Sequence, residues 1–275
     1  MTSVHPDPIV RHYENEIREE DRITTGMGRL ELLRTQEILR RHLPDPPGEI
    51  LDVGGATGVH ASWLAADGYR VHIVDLTPRH VDKASADLGP LGVTAEIGDA
   101  RRLSAADASY DVVLLLGPLY HLVDRTDRVQ ALREARRVVH PGGIVAVAVI
   151  NRFASLFDGL SQGFLFQPEF RAIVERDLRD GCHHNPDQHP NWFTTAFFHR
   201  PEELRSEIGD AGLDLIELAG VEGIAHWLRH LSERWETGDG RETILFAARA
   251  VETEPSLLGL SAHLIAVARA AESPR

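Results

Sequence analysis

A glycine-rich segment with an internal carboxylate lies at residues 51–58 and has the sequence LDVGGATG. Glycine lets a backbone approach a ligand closely, because it has no side chain and reaches positive φ at little cost. A dinucleotide site needs the spacing G-x-G-x-x-G, and Val59 takes the place of the third glycine counted from Gly54. Asp52 lies in the same loop, where its charge would repel a pyrophosphate. The loop therefore favours a cationic, amine-bearing ligand over a dinucleotide.

Two further carboxylates end later apolar runs of the same region. Asp75 closes the run RVHIVD, and a carboxylate at that place can accept hydrogen bonds from both ribose hydroxyls. Asp99 follows the run VTAEIG, where its side chain can accept from an adenine amine while the Ala100 N–H donates to the ring. Both aspartates could instead be solvated turn residues. Their position at consecutive strand ends, in step with the glycine loop, favours the ligand role.

These residues need a sheet to hold them, and residues 48–150 alternate short apolar runs with amphipathic segments. That alternation is typical of a parallel sheet flanked by helices. The pattern predicts strands at 49–53, 70–75, 93–97, 111–116 and 144–150. It resumes at residue 201 with a helix, followed by a strand at 213–218, a helix at 241–251 and a strand at 262–268. The run at 144–150 is apolar throughout, which is typical of a central strand covered on both faces.

The alternation breaks at residues 151–199, which contain all of the nine phenylalanines except Phe246. We interpret this segment as a helical cap inserted after strand five, whose aromatic side chains form its own core or line a substrate pocket. Residues 10–43 look helical. The predicted organisation is an N-terminal helical lid at 1–47, a cofactor-binding core at 48–150, the cap at 151–199 and the C-terminal part of the core sheet at 200–275.

Several motifs, in this order and spacing, resemble the class I S-adenosylmethionine-dependent methyltransferases. LDVGGATG resembles the first motif of that family, Asp75 its acidic ribose ligand and Asp99 its adenine ligand. Residues 110–121, YDVVLLLGPLYH, resemble the fourth motif, and residues 137–143, RVVHPGG, resemble the signature before strand five. Ala56 stands where the family often has its middle glycine, which leaves the local turn geometry open.

The resemblance implies an α/β fold with a doubly wound, seven-stranded and mostly parallel sheet, its last strand antiparallel. It implies that S-adenosylmethionine, with S-adenosylhomocysteine as product, lies across the C-terminal ends of the strands. Gly54 and Gly58 would lie near the methionine portion and ribose, and Leu116 and Gly117 would turn their carbonyls to the methionine amino group. Tyr13 would contact the cofactor from the N-terminal segment. The implied cofactor-binding residues are Tyr13, Asp52, Gly54, Gly55, Gly58, Asp75, Leu76, Asp99, Ala100, Leu116 and Gly117.

Tyr120 and His121 follow strand four, where the transferred methyl group should sit, and are the candidate catalytic residues. Transfer from a sulfonium is an in-line displacement, so the enzyme mainly positions the acceptor and can remove a proton. His121 could be that base, since the unperturbed pKa of histidine is about 6.5. It could equally pack or hydrogen-bond at the start of the next loop. Gly117 replaces the asparagine of the N-P-P-Y tetrad that grips an acceptor amine in adenine-N6 and glutamine methyltransferases, which argues against that chemistry.

A cysteine–histidine cluster occurs in the cap at Cys182, His183, His184 and His189. The spacing of His184 and His189 suits zinc, but Cys182 and His183 are adjacent and a paired cysteine is missing. A polar loop is therefore favoured over a metal site, and no metal is predicted.

The composition of the chain limits the partners and the cellular compartment that can be expected for it. The net charge of −13 repels phosphate backbones, so nucleic acid is not an expected partner. No apolar run approaches the ~20 residues that cross a bilayer, so no membrane is expected either. No signal peptide is evident, and the single cysteine excludes an intrachain disulfide, which favours the cytoplasm.

The predicted function is methyl transfer from S-adenosylmethionine to an oxygen, nitrogen or carbon of a small molecule, with a hydrophobic or aromatic acceptor and secondary metabolism as its setting. The cap and the acidic surface motivate the small-molecule choice. The alternatives are a protein or peptide acceptor, a catalytically silent protein that only binds the cofactor, and a nicotinamide-dependent oxidoreductase. The missing third glycine and Asp52 count against the last of these.

Overall fold

The computed structural model describes residues 26–186, 189 and 192–272. Its main sheet contains seven strands. A separate two-stranded ribbon comes, along the chain, after the fifth strand and before the last two strands of the sheet. The sheet strands are β1 (Glu49–Val53), β2 (Arg70–Asp75), β3 (Thr94–Ile97), β4 (Tyr110–Leu115), β5 (Val139–Ile150), β8 (Leu213–Gly220) and β9 (His263–Ala270). The ribbon strands are β6 (Cys182–His183) and β7 (Ala196–Phe197).

Helices precede, connect and cover these strands. Short 3₁₀ turns lie at Gly89–Leu91, Phe164–Phe166, Gly223–Trp227 and Leu258–Leu260. The α-helices of the described residues are α1 (Gly26–Arg40), α2 (Val59–Ala66), α3 (Pro78–Leu88), α4 (Pro118–His121), α5 (Arg125–Val138), α6 (Ala154–Gln162), α7 (Pro168–Asp180), α8 (Pro201–Asp210), α9 (Leu231–Trp235) and α10 (Gly238–Val251). Within the described part of the chain, none of these helices is long and apolar enough to span a bilayer.

The sheet order is β3-β2-β1-β4-β5-β9-β8. Strands β1 to β5 pair in parallel, whereas β9 runs antiparallel to both of its neighbours. The chain reverses its direction of winding between β1 and β4, and in open α/β sheets a ligand crevice forms at such a point, beyond the carboxyl ends of the strands. The predicted doubly wound sheet with an antiparallel last strand is confirmed.

Two apolar layers sandwich the sheet. On one face Leu132 of α5 and Leu204 of α8 pack in the same buried cluster as Val113. On the other face Ile38 of α1 and Leu64 of α2 cluster with strand residues that include Ile50 and Ile73. Both faces of the central strands are thus covered, which explains why their sequences are apolar without alternation.

Strand β5 begins earlier than its apolar run. The helix before it ends at Val138 instead of continuing to the Pro-Gly-Gly segment at 141–143, and the strand starts at Val139. Its pairing with β4 shifts from Tyr110↔Val139 to Val112↔Ile144. The proline and glycines therefore form an irregular first part of β5, like a β-bulge. The extra residues there leave the pairing of β4 with the rest of β5 regular.

The segment between β5 and α8 contains α6, α7 and the short ribbon, packed beside the carboxyl end of β5. Phe170 and Trp192 form one small buried cluster there, and Ala196 and Phe198 join Ile150 in another. The first cluster is contributed by the segment itself, and the second attaches it to the end of the sheet.

Candidate active site

A cleft lies at the C-terminal ends of β1 to β4. Most of the residues predicted to bind the cofactor meet there, although they come from four separate stretches of sequence. The cleft is lined by Asp52, Gly54, Gly55, Asp75, Leu76, Asp99, Ala100, Leu116 and Gly117, and by both candidate catalytic residues, Tyr120 and His121. Gly58 is not among its lining residues, and Tyr13 lies outside the described residues.

The glycine loop is tightly wound between β1 and α2. Gly54 has φ +72°, and a Cβ added there would lie 2.6 Å from Cγ of Pro118, so only glycine fits. Gly58 has φ +90°, and its added Cβ would lie 2.3 Å from Cδ1 of Leu88. Gly58 is therefore explained by the packing of the loop against α3, behind the cleft. Ala56 also has positive φ, +48°, where glycine would be unstrained.

Asp75 holds the loop and the next helix together. One carboxylate oxygen accepts from the Ala56 backbone N–H at 3.0 Å, and the other accepts from the Thr77 backbone N–H at 2.8 Å. The His80 ring nitrogen Nδ1 lies 3.1 Å from the second oxygen. The side chain is buried yet lines the cleft, so its remaining lone pairs face a ligand that presents hydroxyl donors.

Asp52 is a buried carboxylate at the floor of the cleft, only 1% exposed. Its Oδ2 has no hydrogen-bond partner in the described part of the chain. Burial, together with the charge of Asp75, raises the pKa of Asp52 to about 7. A buried acceptor without a donor costs free energy, so the site fits a ligand that brings an ammonium or amine group to Asp52. The amino group of S-adenosylmethionine has that chemistry.

Asp99 at the end of β3 is engaged by a neighbouring arginine. The Arg101 guanidinium donates to both carboxylate oxygens, with Nη2 2.6 Å from Oδ2, and its Nη1 lies 2.7 Å from Oδ2 of Asp127. The hydrogen bonds from Arg101 lower the pKa of Asp99 and outweigh its partial burial. Asp99 is thus an ordered anion at the edge of the cleft. Sequence reasoning missed Arg101, although its position two residues after Asp99 could have indicated the pair.

The candidate catalytic residues lie on α4, directly after β4. The rings of Tyr120 and His121 are 4.6 Å apart, and each also contacts Phe193, at 6.3 and 6.1 Å. Tyr120 lines both the cleft and a second cavity beside it, whereas His121 lines the cleft. Tyr120 is therefore at the boundary of the two spaces.

The second cavity lies over β5 and β9, under α6 and α7. It shares Glu31, His60, Leu116 and Tyr120 with the cleft, so the two spaces adjoin each other. The strand residues Ala148, Ile150 and Ile265 form its floor. Its aromatic lining residues are Tyr120, Phe170, Trp192, Phe193, Phe198 and Trp227.

Not all cap aromatics face this cavity. Phe166 is 81% exposed, and the Phe197 ring packs under the Arg128 guanidinium at 3.6 Å from its centroid. The structure therefore shows which phenylalanines line the cavity and which lie elsewhere, a distinction that the sequence did not provide because it depends on how the segment packs on the sheet.

A buried carboxylate, Glu222, lies behind the wall of the second cavity and is bonded to His263, which lines that cavity. Glu222 is fully buried, and its Oε1 accepts from Nδ1 of His263 at 2.6 Å. Its Oε2 accepts from the Ser261 hydroxyl at 2.9 Å and from the His263 backbone N–H at 3.1 Å. Burial raises the pKa of Glu222, but the charge and hydrogen bonds of His263 outweigh it and hold the pKa well below its usual range. This pair was not predicted from the sequence.

The ligand atoms of Glu31, Glu222 and His263 lie within 4.8 Å of one another, the spacing of a possible metal site. The hydrogen bonds from Ser261 and His263 occupy both oxygens of Glu222, however, so the arrangement fits a hydrogen-bonded carboxylate–histidine pair better than a set of metal ligands.

The cysteine–histidine cluster of the cap has other contacts. His183 is buried, with Nδ1 2.8 Å from Oδ2 of Asp177. His184 Nδ1 lies 2.9 Å from the Thr195 hydroxyl, and the His189 ring stacks on Trp192 with centroids 4.2 Å apart. These three histidines are thus engaged in three different places of the segment.

Comparison with known proteins identifies the family. Residues 50–143 match the family model described as a methyltransferase domain. The chain is 31% identical over 196 residues to a demethylmenaquinone methyltransferase of Beutenbergia cavernae, a match that covers 66% of this chain and 75% of that protein. It is 32% identical over 174 residues to a ubiquinone biosynthesis O-methyltransferase of Azorhizobium caulinodans, covering 62% of this chain and 61% of that relative's length.

The fold has solved counterparts. A SAM-dependent methyltransferase of Methanosarcina mazei superposes with a TM-score of 0.58 at 16% identity, over 86% of this chain and 98% of that one. The sheet order, the cleft with its unsatisfied carboxylate and the matched family model agree with one another. The chain therefore belongs to the class I S-adenosylmethionine-dependent methyltransferases and uses S-adenosylmethionine as its cofactor.

Proposed function

We propose that this protein transfers the methyl group of S-adenosylmethionine to a small molecule held in the second cavity. The observation that carries the proposal is the shared boundary at Leu116 and Tyr120, where a ligand of the cleft and a ligand of the cavity would meet. The relatives named above, a ubiquinone biosynthesis O-methyltransferase and a demethylmenaquinone methyltransferase, support a small-molecule acceptor.

The cleft residues divide the work of binding. Asp52 would receive the amino group, Asp75 the ribose hydroxyls and Asp99, with the Ala100 N–H, the adenine edge. When bound, S-adenosylmethionine supplies an electrophilic methyl carbon on a positively charged sulfur. Holding the acceptor in line with that carbon is the main contribution a protein can make to such a displacement.

The residues at the boundary would complete the site. Tyr120 would orient the acceptor through its ring and hydroxyl, and the proton lost by the acceptor would pass to His121 or through Tyr120. We further propose that residues 151–199 act as the substrate-binding cap, because α6 and α7 cover the second cavity and limit the access of water.

The first experiment measures binding of S-adenosylmethionine and S-adenosylhomocysteine by calorimetry. Asp75→Ala should lose most of the affinity for both, whereas Asp87→Ala, an exposed aspartate of α3, should keep it. Release of S-adenosylhomocysteine is then followed with hydroquinones, phenols and amines as acceptors, alongside a peptide library and a purified RNA.

Turnover with at least one small molecule, reduced at least tenfold in Tyr120→Phe or Tyr120→Ala, is the expected result. Turnover with peptide or RNA alone would overturn the small-molecule proposal. Tight cofactor binding without turnover of any acceptor would favour a catalytically silent binding protein instead.

A further inference from the structure

The charged side chains that line the second cavity are acidic. Two carboxylate side chains, Glu31 and Asp158, are among its lining residues, whereas neither lysine nor arginine is, as far as the described residues go. The rest of the wall is aromatic, aliphatic or histidine. A cavity of this kind disfavours an anionic ligand and favours a cationic one.

Asp158 is the carboxylate whose surroundings are best defined. It is half-buried on α6, and no described lysine or arginine forms an ion pair with it. Burial raises the pKa of Asp158, and the nearby His226 and a hydrogen bond with Gln162 offset only part of that effect. A cationic group brought by a ligand would restore the favourable charged state of this carboxyl.

The histidines at the same end do not supply that cation. Burial lowers the pKa of His226 and so disfavours its charged form, although Glu222 opposes the shift, and its Nδ1 lies 3.9 Å from Oε1 of Glu222. His263 is hydrogen-bonded to Glu222, so any charge on it is balanced by that buried carboxylate. His183, another lining residue, is held by Asp177.

The aromatic side chains add a second, independent contribution. Trp227 lines the same end of the cavity, with its ring 4.3 Å from that of His226 and its Nε1–H donating to the Leu260 carbonyl at 2.7 Å. That hydrogen bond fixes the indole, whose face attracts ammonium groups. Phe193 and Tyr120 extend the aromatic wall towards the cofactor cleft.

We propose that the cavity recognises an arylalkylamine in its protonated form, with the ammonium group next to Asp158 and the ring against the aromatic wall. The proposal rests on the proposed function, since it names the acceptor class of the same site. The ammonium group is the part of the ligand that the cavity recognises, and the proposal does not require it to be the atom that is methylated.

The test uses ligands that differ in charge and little else. The protein is saturated with S-adenosylhomocysteine, which fills the cleft without reacting, and then titrated with tryptamine, tryptophol and indole-3-acetate by calorimetry at pH 7. Phenethylamine, 2-phenylethanol and phenylacetate form a second series. The amines should bind at least tenfold more tightly than the matching acids, with the alcohols between them.

Two variants separate recognition from folding. Asp158→Asn is nearly isosteric and should reduce the preference for amine over acid at least fivefold, while S-adenosylhomocysteine binds as before. Asp214→Asn removes the same charge from an exposed site on β8 and should leave the preference unchanged. Thermal unfolding of both variants confirms that they are folded.

Equal affinity for amine and acid, tighter binding of the acid, no measurable binding of either amine, or an unchanged preference in Asp158→Asn would each overturn the amine proposal. None of these results touches the proposed function, because an uncharged acceptor could still be methylated in the turnover assay. Conversely, binding of amines without turnover of any acceptor would support recognition and contradict catalysis.

Discussion

Asp52 and Ala56 show at the scale of single residues that the cofactor loop is strained and incompletely satisfied. Asp52 is buried with an oxygen that no described donor reaches, and Ala56 is held at a positive φ by its hydrogen bond to Asp75. Both residues were recognised in the sequence as unusual for such a loop. Their cost in stability could not be predicted from the sequence, since it depends on the depth of burial and on the turn geometry.

Ala56→Gly should stabilise the protein by about 1 kcal/mol, because glycine adopts a left-handed conformation without the steric clash of a Cβ. The measurement is urea unfolding of the free protein. Ala86→Gly, at an exposed position inside α3, should instead destabilise by about 0.5–1 kcal/mol. A loss of stability in Ala56→Gly would show that the turn is not strained.

The affinity for S-adenosylmethionine should rise with pH up to about pH 7, the pKa of Asp52 in the free protein. The ionised carboxylate binds the ligand amine, so affinity can rise by up to about tenfold per pH unit below that value and then level off. Calorimetry from pH 5.5 to 8.5 measures it, and the profile of Asp52→Asn should be flatter.

Ionisation of the Asp52 carboxyl, which favours cofactor binding, lowers the stability of the folded free protein. Its pKa is higher in the folded protein than in the unfolded chain, so the folded state binds more protons between about pH 4 and pH 7. The contribution of Asp52 to the free energy of unfolding of the free protein therefore decreases as pH rises through this window. Asp52→Asn should remove that part of the pH dependence, and an unchanged dependence would contradict the assigned pKa.

At the scale of the elements, the strands of the core were predicted within one or two residues at most ends, because apolar runs covered on both faces are distinctive. The entry of β5 was missed, since Pro141 and the following glycines look like a helix stop and a turn but are accommodated within the strand. Asp75 and Asp99 of the cleft were predicted because strand ends can be read from the sequence, whereas most of the other cleft residues were implied by the family resemblance. The polar lining of the second cavity was not predicted, because Asp158 of α6 and His263 of β9 reach the same space only through the packing of the folded chain.

A buried ion pair links three of these elements. The Arg128 guanidinium of α5 donates to both oxygens of Glu207 on α8, with the shortest distance 2.7 Å, and its face covers Phe197 of β7. Arg128→Met should destabilise the protein by about 3–5 kcal/mol, because it leaves the buried Glu207 carboxylate with only His199 Nε2 at 3.3 Å and Arg125 Nε at 3.9 Å beside it. Thermal and urea unfolding measure this loss.

A neighbouring arginine provides the control. Arg125 lies on the same helix, is half-exposed and pairs with Asp210 at 2.6 Å, whereas its Nε is 3.9 Å from Glu207 and makes no hydrogen bond to it. Arg125→Met should cost about 1 kcal/mol or less. Adding Glu207→Gln to Arg128→Met should recover part of the lost stability, and an additive loss in the double variant would mean that Arg128 acts through Phe197 and not through Glu207.

At the scale of the whole molecule, the cleft and the second cavity both lie at the same edge of the doubly wound sheet, where the parallel strands end. The winding reverses between β1 and β4, which opens the cofactor cleft, and the antiparallel β9 beside β5 carries His263 to the floor of the second cavity. The family and the fold class followed from the order of motifs. The lining of the second cavity could be identified only in the folded chain, since it combines residues from α1 to β9.

The shared boundary of the two spaces makes the protein a suitable target for a bisubstrate ligand. One molecule that joins adenosine through a sulfur linker to an arylalkylamine would occupy the cleft and the cavity together across Leu116 and Tyr120. Because its second half binds at a high effective concentration, the joined compound should bind about 10²–10⁴-fold more tightly than either half alone. Competition calorimetry measures that gain. The neighbouring cavities thereby define the length and the charge of an inhibitor before the natural acceptor is identified.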